Sequence, residues 1–343
     1  MNKTQQKVVA GLQVKNGYPH RVSKLRMEET HISWIFLTGL YAYKIKKEVK
    51  FGQILDFSTL QMRKRFCQKE VALNKILCND MYKKVVKIVR ENDNDSNNDN
   101  SNIRITNLNN KGKALEYAVK MKEISQEYRM DNLISLNRVN LESIEKLAES
   151  LVRFHVATST SRKIKNYGQP KFIKKKINEN FRTLSKLEKI DPKFERRLNH
   201  FIEYKGNLFY DRIREDKVRD IHGDLYLKNI FFVKNRLYMY DRIEFNDSLR
   251  YADVAEDVAH LSMDLDHHKR NDFRKRFVSK YISKSNDLNL EKIIYFWMCY
   301  KACVRAKVSL FHAKNETAAE KRIGHLRESK DLLALAESYL ELL

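Results

Sequence analysis

Asp220-Ile221-His222-Gly223-Asp224-Leu225-Tyr226-Leu227-Lys228-Asn229, together with Asp241 farther along, is the stretch on which the reading of the fold turns. After it come two short apolar runs, 229–233 and 237–240, with Lys234-Asn235-Arg236 between them. Runs of this length and composition read as strands, and the polar triplet supplies turn chemistry. The order is loop, strand, tight turn, strand, acid. Asn229 stands five positions after Asp224, and Asp241 twelve after Asn229. Hard oxygen ligands at one end of a hairpin can hold a divalent cation, and a carboxylate slightly upstream can take a proton from a hydroxyl.

By itself His-Gly-Asp is turn chemistry, because glycine pairs of this kind punctuate loops of every function. The spacing adds an order. Asp, then Asn five residues on, then Asp at the end of the next hairpin is the sequence in which a phosphoryl-transfer site presents its proton acceptor and its two Mg²⁺ ligands. In that order Asp224 is the proton acceptor, and Asn229 and Asp241 are the metal ligands. His222 fixes the loop by hydrogen bonding, and Gly223 permits its turn. Glu244, beside the metal acid, either faces solvent or reaches water or a second ion.

These residues carry a resemblance. His222-Gly223-Asp224 with Asn229, then Tyr240-Asp241-Arg242-Ile243-Glu244-Phe245-Asn246-Asp247 and Asp253-Val254-Ala255-Glu256-Asp257-Val258-Ala259, resemble the aminoglycoside phosphotransferase-like kinases. More narrowly they are similar to a prokaryotic branch in which this domain is often fused to a P-loop ATPase. Glu29-Thr30-His31-Ile32-Ser33-Trp34 and Tyr41-Ala42-Tyr43-Lys44-Ile45-Lys46-Lys47 extend the similarity over nearly the whole chain. The resemblance implies an α+β, two-lobed protein-kinase-like fold, with an antiparallel-sheet N-lobe over 1–121 and a larger, mainly helical C-lobe over 122–343. It implies ATP and Mg²⁺ as cofactors, an acid at Asp257 that braces the catalytic loop from beneath, and a hydroxyl acceptor. No P-loop motif occurs in these residues, so the ATPase would be a separate partner.

Composition bounds the rest. The chain has 343 residues, 42% of them hydrophobic, enough for a substantial core. With 67 basic and 44 acidic residues the formal charge is +23, which favours anionic partners such as ATP. Nucleic acid is possible but not favoured: lysines scattered on solvated helix faces explain the excess more simply. The tightest basic cluster, Lys171, Lys174, Lys175 and Lys176, lacks the aromatic ladder that single-strand binding requires. Cys67, Cys78, Cys299 and Cys303 show no CxxC pairing and imply a reduced, cytoplasmic chain without a zinc site. No apolar run is long enough to span a bilayer, and the start lacks the apolar core of a signal peptide.

In the first lobe, residues 31–37 and 41–47 read as strands joined around Gly39. Alternation puts Ala42, Lys44 and Lys46 on one face. Ala42 leaves room for a flat base and Lys44 reaches the phosphates, whereas Lys46 and Lys47 read as edge lysines that discourage aggregation. The next helix runs from the capping oxygens of 56–59 to about residue 77, and Glu70 falls on its apolar stripe of Phe66, Leu73 and Leu77. A carboxylate there needs a cation, and Lys44 is the natural one. No GxGxxG and no Walker motif occurs; in the family it resembles the turn before the second strand is often not glycine-rich, and the resemblance implies that Thr30-His31-Ile32-Ser33, with the hydroxyls of Thr30 and Ser33, takes its place. Residues 92–102 lack the glycine of a calcium loop and read as a disordered hairpin tip. Residues 115–121 alternate as the last strand, and a hinge at 120–124 offers backbone groups to adenine.

In the second lobe, Ile144, Leu147, Ala148, Leu151, Phe154 and His155 form a helical stripe capped by Asn140, with His155 as a satisfied buried histidine. Asp191-Pro192 opens a further helix. Lys301, Arg305 and Ser309 recur at four-residue spacing on a late helix, either as a solvated basic face or as a cationic stripe for an anionic substrate. The expectation is an ATP-dependent, Mg²⁺-assisted kinase acting on a small-molecule hydroxyl: a sugar, a sugar acid or an aminoglycoside-like compound. Its basic late helices suit the polycationic drugs least. The alternatives are a non-catalytic nucleic-acid-binding protein that keeps the fold, or an atypical protein kinase, against which stands the short 242–253 interval where an activation loop would be.

Overall fold

Strand pairing and helix capping can be followed over residues 2–91 and 102–343, which the computed structural model describes. The tract read as a disordered hairpin tip lies, apart from Asn102, outside the described residues. The chain forms two compact units, Met1–Gln126 with Tyr238–Asp247, and Glu127–Leu237 with Ser248–Leu343. The first unit thus takes back a short segment that a single cut in the chain gives to the second.

The first unit contains α1 (Lys3–Leu12), β1 (Arg26–Glu29), β2 (Ser33–Leu37), β3 (Tyr41–Lys46), β4 (Lys50–Phe51), β5 (Leu55–Asp56), α2 (Leu60–Cys78), β6 (Tyr82–Arg90), β7 (Ile103–Thr106) and β8 (Ala114–Lys122). Six strands form one antiparallel sheet in the order β1-β2-β3-β8-β6-β7. Gly39 turns β2 into β3 at φ 89°, where any Cβ would clash with the Ser23 hydroxyl. Alternation then sorts β3. Tyr43 and Ile45 enter a core with Val8, Leu12, Trp34, Phe36, Ile88 and Ala118, each such side chain worth about 2 kcal/mol on burial. Lys44 and Lys46, on the other face, meet Glu70 of α2.

Two expectations are corrected here. Lys46 is not an edge lysine: β3 is an interior strand, paired with β2 on one side and β8 on the other, and Lys46 is fully buried. The buried face of α2 is also rotated from the expected apolar stripe. It consists of Arg63, Cys67, Glu70, Val71, Asn74 and Cys78, with Phe66, Leu73 and Leu77 half-buried at its side. The face that packs is the one whose polar groups find partners, and hydrophobicity alone does not reveal it. The N-terminus of α2 falls where its cap dictates, Thr59 Oγ1 accepting from Met62 N at 3.1 Å.

The second unit is mainly helical: α3 (Met130–Ser135), α4 (Leu141–Ala157), α5 (Arg162–Lys165), α6 (Pro170–Leu184), α7 (Lys193–Tyr204), α8 (Gly206–Arg214), then β9 (Val218–Asp220), β10 (Ile230–Val233), β11 (Arg236–Met239) and β12 (Tyr251–Asp253), then α9 (Ala255–His267), α10 (Asn271–Ser285), α11 (Ile294–Asn315) and α12 (Ala319–Leu340). By the unit boundaries β11 is divided: Arg236 and Leu237 belong to the second unit, and Tyr238 and Met239 open the segment that belongs to the first. Helix α4 buries the expected stripe from Ile144 to His155, and Asn140 caps it by accepting from Ser143 N at 2.9 Å. Asp191 accepts from Lys193 N at the start of α7.

Helix α9 is buried from Ala255 through Asp266, four acids included. Each acid is partnered, as burial of charge demands: Glu256 by Lys176 and Lys301, Asp257 by His155, Asp264 by the Leu227 amide, and Asp266 by Arg274 and Tyr339. No helix among the described residues is long and apolar enough to cross a membrane.

Candidate functional site

In the first unit, alternation aims Lys44 at α2, and its amine donates to Glu70 Oε1 at 3.0 Å and to Asp241 Oδ1 at 2.5 Å. Lys46, two residues on, donates to Glu70 Oε2 at 2.6 Å and to Glu244. Two buried lysines and three carboxylates thus interlock. Burial alone would depress the Lys44 amine, but Asp241, Glu70 and Glu244 outweigh it and hold it well above its usual range. For Lys46, burial is likewise outweighed, by Glu244 and Glu70. The two glutamates part company. Burial opposes charge on both, yet Glu70, served by two lysines, is held below its usual value, while Glu244, bonded to one, is pushed above it. Glu244 is therefore neither solvent-facing nor an independent ion ligand; Lys46 occupies it.

Asp241 keeps a half-exposed carboxylate, 42% of its side chain being accessible. Its backbone is left-handed at φ 64°. Two hydrogen bonds pin that conformation: Asp241 N donates to Tyr82 Oη at 3.2 Å, and Arg242 N donates to Asn74 Oδ1 at 2.9 Å. Asn74 and Tyr82 escaped the sequence reading. The available signal was Asn74 one turn after Glu70, on the same face of α2.

The other first-unit candidates are less outward. Ala42 is buried. Thr30 closes the β1–β2 turn, its hydroxyl accepting from Ser33 N at 3.0 Å, and the Ser33 hydroxyl is itself buried. In the stretch expected to meet adenine, the amides of Lys122 and Glu123 already donate to Met81 O and Leu40 O.

In the second unit, α9 holds the loop that follows β9. Asp257 accepts from His222 N at 2.7 Å and from Gly223 N at 3.0 Å, while His155 binds the same carboxylate at 3.2 Å and the Tyr281 hydroxyl at 2.7 Å. Burial works against the Asp257 charge, but these donors hold its carboxyl below the usual range. Two turns along, Asp264 accepts from Leu227 N at 2.8 Å. Gly223 sits at φ 89°, and His222 Nδ1 lies 3.4 Å from Asp224 N. Between the clamps Asp224 has a half-exposed side chain, 42% accessible. Asn229 donates through Nδ2 to the Asp224 carbonyl at 2.9 Å, which fixes its amide with Oδ1 as the remaining ligand atom.

The late basic stripe is not a solvated face. Lys301 is buried, 3.1 Å from Glu256 and 3.5 Å from the Gly223 carbonyl. Arg305 lies over the Tyr226 ring at 4.3 Å and 3.7 Å from Glu328, to which Ser309 also donates. The basic cluster of α6 is largely paired too: Lys174 with Glu203, Lys175 with Glu179, and Lys176, half-buried, with Glu256.

Among the described residues no three His, Cys, Asp or Glu side chains gather around a possible metal. Asp241 in the first unit and Asn229 in the second each carry a hard oxygen, the donor type Mg²⁺ selects, and Mg²⁺ is commonly held by one or two side chains plus substrate phosphates instead of a full protein cage. Either residue, taken by itself, fits that mode.

No family model matches the chain. It is 29% identical over 309 residues to uncharacterised proteins of Mycobacterium tuberculosis and Mycobacterium bovis. The match takes in 88% of the chain, which spans only 58% of those relatives' length. In structure it is similar to choline kinase from Cryptosporidium parvum, with TM-score 0.53 and 10% identity over 99% of this chain and 95% of that one. It is also similar to a point mutant of aminoglycoside 2'-phosphotransferase-IIIa in complex with GDP, with TM-score 0.50 and 12% identity over 98% of each chain. With the six-stranded antiparallel sheet and the mainly helical second unit, these likenesses identify the fold as the protein-kinase-like α+β fold.

Proposed function

We propose that the protein is an ATP-dependent phosphotransferase that moves the γ-phosphoryl group to a hydroxyl of a small molecule. The observation that carries it is the Lys44 amine, held at 3.0 Å by Glu70 and at 2.5 Å by Asp241, a residue 197 positions away. A lysine so fixed is a preorganised cation for phosphate oxygens. The names of the two structural neighbours, a choline kinase and an aminoglycoside phosphotransferase, support the same reaction class.

Asp224, on a loop clamped through Asp257 and Asp264, takes the proton of the acceptor hydroxyl. His222 and Gly223 hold that loop in shape. Asn229 and Asp241 would hold Mg²⁺ through their oxygens, and Lys44, oriented by Glu70, neutralises phosphate charge. When bound, Mg²⁺–ATP supplies the transferable phosphoryl group and further charge neutralisation. The acceptor is read as a sugar, a sugar acid or a related hydroxyl compound. Four buried free thiols suit a reducing compartment such as the cytoplasm.

The test is phosphate transfer from ATP across a panel of hydroxylated metabolites. The wild type should turn over at least one of them, and Asp224→Ala should be slower by roughly 10²–10⁴-fold, the contribution of a positioned general base. Equal turnover by the two proteins discards the assignment.

A further inference from the structure

Helix α9 turns three polar side chains toward the loop 222–227 along one face, Asp257, His260 and Asp264, at the three- and four-residue spacing that stacks side chains on a helix. The outer two are committed to loop amides, Asp257 to those of His222 and Gly223 and Asp264 to that of Leu227. The middle one is not. His260 is 1% exposed, and neither of its ring nitrogens has a hydrogen-bond partner among the described residues. The ring is nevertheless fixed: it stacks on Tyr226 of the same loop, centroids 5.5 Å apart and planes 12° from parallel. Its Nδ1 lies 3.9 Å from Asp224 Oδ1, just outside hydrogen-bonding distance. Native proteins rarely bury a polar group unpaired, and a violation beside a candidate catalytic base points to use instead of packing.

We propose that His260 is a positioning residue for the phosphotransferase reaction: its Nδ1–H is directed at Oδ1 of Asp224 already in the free protein, a contact that tightens when the acceptor engages and leaves Oδ2 to receive the acceptor's proton. This role rests on the protein being a phosphotransferase. The closure needed is about 1 Å, and it falls on the half-exposed Asp224, not on the stacked ring. Burial first, then Lys301 and Arg305 of α11, hold His260 well below its usual range; Asp257 opposes them and His222 adds to them. The ring therefore stays neutral and donates without titrating.

The experiment compares His260→Phe, which keeps the ring volume and the stack, with His260→Asn, whose amide can donate from near the Nδ1 position. At saturating ATP and acceptor, His260→Phe should lower kcat by roughly 10–100-fold, the usual effect of removing a supporting partner. KM for ATP should stay unchanged. Its melting temperature should equal or exceed that of the wild type, because two unpaired buried polar atoms are gone. His260→Asn should restore most of the turnover. An unchanged kcat in His260→Phe, or a loss that asparagine does not restore, makes the ring a packing element and overturns the proposal. A readout independent of turnover is the ¹⁵N spectrum of the His260 ring, where the Nδ1–H tautomer is expected, with its resonance shifted by Asp224→Asn. The Nε2–H tautomer, or no shift, overturns the proposal even where no acceptor has been found. If His260 passes that test while wild-type protein phosphorylates nothing, the failure belongs to the phosphotransferase reading.

Discussion

Asp241 shows what a single residue contributes and what it requires. A left-handed backbone costs a non-glycine residue on the order of 1–3 kcal/mol unless its surroundings impose it, and Tyr82 and Asn74 do so through the two hydrogen bonds to 241 and 242. Asparagine tolerates this region of backbone space as aspartate does. Asp241→Asn is therefore expected to stay folded, melting close to the wild type, while Mg²⁺-dependent ATP binding weakens by roughly 10–100-fold. Isothermal titration with and without Mg²⁺ checks this; an unchanged Mg²⁺ dependence removes Asp241 from the ligand set. The candidacy of Asp224, Asn229 and Asp241 was legible in the sequence because it depends on residue type and local spacing. The left-handed turn at 241 was not, since its causes sit on α2 and β6.

At the scale of elements, strand β3 delivers two lysines to one face of α2, and both end on Glu70. Removing one partner from such a set strands a buried charge. Lys46→Met is expected to cost about 3–5 kcal/mol, read from urea unfolding. The double variant Lys46→Met/Glu244→Met should recover part of that loss, with a coupling of about 1–3 kcal/mol. Strict additivity of the two single variants would mean that the pair is not coupled. Alternation within β3 was legible and correctly put Lys44 and Lys46 on one face. That this face is covered was not, because strand order is set by pairing with β8, far along the chain. The stripe of α4 succeeded where that of α2 failed, and for a physical reason. The α4 stripe is apolar and follows hydrophobic period, whereas the α2 face is polar and is buried only because Lys44, Lys46, Glu116 and Arg242 supply its partners.

At the scale of the whole molecule, 67 lysines and arginines face 44 acids. Protonating the acids leaves a large unopposed positive charge, so acid should unfold the protein steeply and in a salt-dependent way. Depressed carboxyls set where this begins. Asp257 lies below its ordinary 3.8 and Glu70 below 4.5, so their stabilisation is present above those values and is lost as pH falls through the folded ones. Glu244, raised above 4.5, runs the other way and flattens the limb slightly. Lys44 and Lys46, raised above 10.5, contribute fully below that value and fade only as pH rises through their folded ones. Melting temperature should therefore fall on the acid side, first as pH drops below 6.5, where His260 takes up a proton only when unfolded, and then more steeply as the depressed carboxyls protonate. Asp257→Asn should start lower and fall less. A wild type equally stable at pH 3 and pH 7 would contradict these charge states.

The sequence by itself determined the order of the loop, hairpin and acid, the two faces of β3, the cap and stripe of α4, and the fold class these imply. All of them follow from periods of two and 3.6 or from spacing within a contiguous segment. Only the tertiary structure decided that Lys46 is buried, that the segment 238–247 belongs with the first unit, that Lys301 and Arg305 of the late helix face acids, and that His260 stands unpaired beside Asp224. Those outcomes depend on which charges become neighbours in space, and Coulomb's law counts ångströms instead of residues: Lys46 and Glu244 are 198 positions apart in the chain and in contact in the fold.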